Sequence, residues 1–64
     1  MDFRQVENII TRNGWILIRT LGNSRQYKKP GCEKAVVITD YGRQDIPIGV
    51  VRHLEKLTGL SLER

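Results

Sequence analysis

This chain has little cysteine, histidine, tryptophan or proline: of 64 residues, one is Cys, one His, one Trp and two are Pro. A lone cysteine excludes an internal disulfide, and without a Cys-x-x-Cys pair or a Cys/His cluster the chain offers no zinc-ligand pattern. Cys32 lies in the turn Pro30-Gly31-Cys32-Glu33-Lys34, where no histidine is near in sequence, so it reads as an exposed thiol and not a nucleophile. No Gly-x-Gly-x-x-Gly or Walker pattern is present to cradle phosphates. Asp40 and Asp45 bracket a polar loop and read as turn and N-cap formers, not as a magnesium pair. No cofactor and no metal are expected. No apolar stretch reaches the length of a membrane span or signal core, and Met1-Asp2-Phe3-Arg4 leads directly into helix-forming sequence. The expectation is a soluble, cytoplasmic protein that does not contact membranes.

What is present is positive charge in one place. The net charge is +4 and the pI about 9.7, which suits polyanionic partners. Between Arg19 and Lys34 the cations Arg19, Arg25, Lys28, Lys29 and Lys34, with Arg12 flanking, face Glu33 alone, while the second half is nearly balanced. Tyr27 lies among these cations, and an aromatic interleaved with basic side chains suits a phosphate backbone and a stackable base. The competing reading is a solvated hairpin kept soluble by its lysines.

With no linker or composition break, residues 1–64 read as one small domain, of a size that buries only about 60% of its unfolded surface. Asp2 followed by Gln5 forms a capping-box pattern, and Phe3, Val6, Ile9 and Ile10 share one helical face up to Asn13-Gly14. Trp15 to Leu21 reads as a strand, Gly22-Asn23 as a turn, and Ser24 to Lys29 as a polar return strand stopped by Pro30-Gly31. Ala35 to Thr39 reads as a third strand. A second helix opens near Pro47, carries Ile48, Val51, Leu54 and Leu57 at helical spacing, and closes at Thr58-Gly59-Leu60 in a Schellman-like ending. His53 falls about 200° from Val51 at ~100° per residue and is expected to be exposed.

The order helix, three antiparallel strands, helix gives an α+β two-layer sandwich, α-β-β-β-α, with both helices on one face of a three-stranded sheet. Strand one is apolar on both sides, Trp15 and Leu17 against Ile16 and Ile18, and Val36, Val37 and Ile38 repeat this in strand three. Alternation alone does not say which side faces inward. Either way apolar surface is left uncovered, which points to a second chain, through a homodimer or a protein partner. Trp15 reads as a core aromatic, leaving Tyr27 as the stacking candidate.

The layout is similar to that of the HicA (YcfA-like) toxin family. The resemblance spans nearly the whole chain and rests on Gly14-Trp15 opening the first strand, Arg19 before Gly22, the basic return Arg25-Gln26-Tyr27-Lys28-Lys29-Pro30, and Ile46-Pro47-Ile48-Gly49 opening the last helix. It implies a double-stranded-RNA-binding-domain-like fold, endoribonucleolytic cleavage of mRNA, and a HicB antitoxin as partner. The family's Gly-Ser-His triplet, whose histidine is catalytic, is matched here by Gly22-Asn23-Ser24. Ser24 thus occupies the family's catalytic position.

A serine hydroxyl titrates far too high to take or deliver a proton near neutral pH, whereas positioned acid–base groups contribute typically ~10²–10⁴-fold. The expectation is therefore RNA binding, to mRNA or duplex RNA, through Arg19, Asn23, Ser24, Arg25, Tyr27, Lys28 and Lys29, with cleavage weak or lost. Two further readings stay open. One is an active ribonuclease rebuilt around Ser24 and Arg25, or completed by His53 across a dimer interface. The other is an antitoxin-like protein-interaction module without RNA contact.

Overall fold

A computed structural model describes residues 1–62. Helix α1 (Phe3–Arg12) begins where the sequence says it should. The Asp2 carboxylate accepts from the Gln5 backbone N–H at 3.0 Å, and the Gln5 side chain accepts from the Asp2 N–H at 2.9 Å. Two donors that the first helical turn leaves without partners are thereby satisfied. Asn13 closes α1, its N–H bonding Ile10 C=O, and Gly14 turns the chain at φ 94°, a conformation that favours glycine.

Strands β1 (Ile16–Leu21), β2 (Ser24–Lys28) and β3 (Val36–Thr39) form an antiparallel sheet in the order β1-β2-β3. Leu21 pairs Ser24 across the two-residue turn, in which only Gly22 takes positive φ, 58°, the position where such hairpins favour glycine. Trp15 and Lys29 fall just outside the strands expected to hold them, as does Ala35. Helix α2 (Ile48–Thr58) completes the α-β-β-β-α order.

The core joins Phe3, Val6 and Ile10 of α1, Trp15, Tyr27 of β2, Val36 and Ile38 of β3, Ile46, Val51 and Leu54 of α2, and Leu62, each at most 4% exposed. Both helices thus bury their stripes against the same face of the sheet, and the other face is open. Trp15 is a core residue, as its place beside Gly14 suggested.

Three expectations about the second half are corrected. Of the α2 stripe only Val51 and Leu54 are buried, while Ile48 and Leu57, at the two ends, are exposed. The helix ends with Gly59 at φ 73°, its N–H bonded to Glu55 C=O, while the Leu60 N–H turns to the Thr58 hydroxyl at 3.2 Å. That is the single-bond left-handed ending, without the second bond of a Schellman motif. Asp45 does not cap α2, whose N-cap is Pro47 with no side-chain bond. Its residue instead bridges backbone to Asp2, and its carboxylate lies 3.4 Å from the terminal ammonium of Met1. Asp40 is the turn former expected of it, accepting from the Gly42 N–H at 2.8 Å.

Candidate nucleic-acid interface

Successive side chains of a strand point to opposite faces, so β2 divides the basic hairpin in two. Tyr27 is fully buried, which fixes Tyr27 and Arg25 on the helix side and Ser24, Gln26 and Lys28 on the open side. Directly paired residues share a face, and the β1–β2 register sets Ile16 opposite Lys28, Arg19 opposite Gln26 and Leu21 opposite Ser24. From the other side, Gln26 pairs Val37 and Ser24 pairs Thr39. The open face therefore carries Arg19 and Lys28 around a polar centre of Ser24, Gln26 and Thr39, with Ile16, Leu21 and Val37 at 55–60% exposure beside it.

Tyr27 is not a stacking platform, because neither ring face meets solvent. Its hydroxyl donates to the Glu7 carboxylate at 2.5 Å. Burial, followed by this hydrogen bond, pushes the Tyr27 hydroxyl well above the ordinary tyrosine range. Arg25 is likewise withdrawn from the open face. Its guanidinium lies 3.8 Å from Glu7, 3.3 Å from Asp40 and 4.6 Å over the Phe3 ring. Two carboxylates and an aromatic face already neutralise and hold that cation. A cleft lined by Asp2, Arg4, Glu7, Asp40 and Arg43 surrounds it, with acids and bases in balance.

Arg19, Lys28 and Lys29 are different. None makes an ion pair among the described residues. Lys29 is half-buried, its stem laid over Gly14, where a β-carbon would meet the Lys29 Cε at 3.5 Å. Asn23 is exposed at the turn, and its carbonyl accepts from the Asp40 N–H at 2.7 Å, tying the hairpin tip to the end of β3. Ser24, half-buried, begins β2 beside that tip.

The open face thus brings together Arg19, Ser24 and Lys28, with Asn23 at its rim, and loses the half-buried Arg25 and the buried Tyr27 to the helix side. It contains no imidazole. His53 is exposed, but it belongs to α2, in the layer on the other side of the sheet. Cys32 is exposed, as expected. Among the described residues no group of three His, Cys, Asp or Glu side chains is placed to hold a metal ion, and no helix is long and apolar enough to cross a membrane. Sequence reasoning missed Glu7 as the anchor of both Tyr27 and Arg25. It lies 20 residues from Tyr27, and no local pattern marks a carboxylate on the polar side of α1 as a strand's partner.

A family model described as the HicA toxin of bacterial toxin–antitoxin systems matches residues 3–60. No curated protein matches the chain closely enough to count as a relative.

Proposed function

Because the chain belongs to the HicA toxin family, we propose that it binds RNA on the open face of its sheet, through Arg19, Asn23, Ser24 and Lys28. The observation that carries this reading is the division of β2. Arg25 spends its charge on Glu7 and Asp40, whereas Arg19 and Lys28 flank Ser24 and Gln26 on a surface with no carboxylate of its own strands. Free cations beside hydroxyl and amide groups suit phosphate and sugar contacts. Tyr27 has no part in it.

Cleavage is weak or lost on this reading. Where the family resemblance puts a histidine, the Ser24 hydroxyl orients a phosphate by hydrogen bonding and, with Arg19 and Lys28, stabilises negative charge, but it shuttles no proton near neutral pH.

Fluorescence anisotropy with labelled single-stranded and duplex RNA at two salt concentrations tests the binding half. Affinity falls steeply with salt, and Lys28→Glu weakens it at least tenfold, because each phosphate contact contributes roughly −0.7 to −0.9 to the logarithmic salt slope. A flat salt dependence removes the proposal. For the catalytic half, Ser24→His gains RNA cleavage by at least tenfold over the wild type. Equal rates in the two proteins would show that the imidazole is not the missing part.

A protein partner on the same sheet is the second reading, favoured by the exposed Ile16, Leu21 and Val37. Membership of a toxin–antitoxin family makes an antitoxin the natural candidate. If that contact alone carries the biology, Lys28→Glu leaves the cellular effect unchanged.

A further inference from the structure

We propose that the outer edge of β1 is a strand-addition site for an extended, acidic segment of a protein partner. This concerns the backbone edge of one strand, and of the side chains in the RNA reading it engages Arg19 and, more distantly, Lys28.

β1 has a neighbour on one side only. Along its other side the N–H and C=O groups of Ile16–Leu21 meet no strand, and no turn or loop among the described residues bonds to them. Sheet edges left open are normally protected by shortness, proline, charge or a covering element. β3, the opposite edge, has four residues, with α2 packed against it. β1 has six, every one exposed, and Ile16, Leu17, Ile18 and Leu21 present 55%, 44%, 53% and 60% of their surface to solvent. A register shift between Leu17 and Arg19 and the single charge of Arg19 are its only guards. An edge this long and this apolar aggregates unless something pairs with it.

Charge selects the occupant. From Gly14 to Pro30 no residue is acidic, Arg19 lies within β1, and Lys28 sits across from Ile16. Pairing β1 with a second copy would set two such cationic hairpins side by side, each from a chain of net charge +4, at a like-charge cost. A partner strand carrying carboxylates removes that cost. Its carboxylates would line the open face, opposite Arg19 and toward Lys28, while its alternate apolar side chains would cover Leu17 on the helix face. Main-chain bonds give affinity and the alternating side chains give selectivity, as in other strand additions. A strand this short buries less than the ~1,600 Å² of a standard interface, so an isolated peptide binds weakly and a whole partner more tightly.

The probe is a capped heptapeptide of alternating valine and glutamate, titrated into the intact protein while backbone amide shifts are followed by NMR. Alongside it run an analogue with alternate amides N-methylated and a valine–lysine counterpart. The expected result is saturable shifts centred on the amides of Ile16–Leu21. Both analogues bind at least tenfold more weakly, and Leu17→Glu weakens the acidic peptide at least tenfold while RNA affinity stays within twofold. Four outcomes overturn the proposal: no shifts at millimolar peptide, equal binding of the N-methylated analogue, shifts centred on β2 and β3, or β1 shifts that follow protein concentration alone, which would assign the edge to a second copy. Because RNA binding is read separately, failure here leaves the RNA reading standing, and the reverse holds too.

Discussion

β1 and β3 are alike in residue type and opposite in fate. Both are runs of branched aliphatics, both lie at an edge of the same sheet, and by composition neither is the more buried. In β3 the pleat sorts them cleanly, Val36 and Ile38 at 1% exposure and Val37 at 57%. In β1 nothing is sorted, since Leu17, on the helix side with Tyr27, is still 44% exposed. α2 packs against β3, and α1 reaches β2 through Glu7 and Phe3, but neither helix extends over β1. Hydrophobicity asks for cover, and position in the sheet decides whether a strand receives it from its own chain.

The sharpest way to break this comparison is to truncate one residue in each strand. Ile38→Ala should cost about 2–5 kcal/mol in chemical denaturation, from lost transfer energy plus a residual cavity, enough to unfold a domain this small at 37 °C. The strand between them gives the next effect. Tyr27→Phe keeps the ring but removes the hydrogen bond to an ionised partner, a loss of about 1.5–3 kcal/mol, visible as a lower midpoint with an unchanged denaturant slope.

The same hydroxyl predicts a pH effect. Its folded form resists ionisation while the unfolded tyrosine ionises from about pH 10. The stability it contributes is therefore complete below pH 10 and declines as pH rises above it, by at most about 1.4 kcal/mol per pH unit for one proton. Thermal unfolding from pH 8 to 11 should show this component in the wild type and not in Tyr27→Phe. The smallest expected effect is at β1: Leu17→Ala should change stability by no more than about 0.5 kcal/mol. A cost matching that of Ile38→Ala would mean β1 is covered in solution.

Much of the fold was legible because its signals are local. The Asp2–Gln5 capping box, the Gly22 turn, the glycine stop at Gly59 and the apolar face of α1 are each written within a few residues, and each appears where expected. The site was half legible. Arg19, Asn23, Ser24 and Lys28 are presented on or beside the open face, but the polar strand Ser-Arg-Gln-Tyr-Lys offers no contrast between its two faces, so nothing in it announced that Arg25 and Tyr27 turn inward. Their partners Glu7 and Asp40 lie on other elements, and Ile48 and Leu57 outran the surface available to bury them.

By itself the sequence determined the order of elements, the absence of a histidine in the hairpin and the concentration of cations there, because caps, turns and charge are properties of neighbours along the chain. Only the tertiary structure decided which face of β2 is open and which strand edge is bare. Alternation assigns each side chain to one of two faces with equal ease, and the choice between them is made where the two helices land.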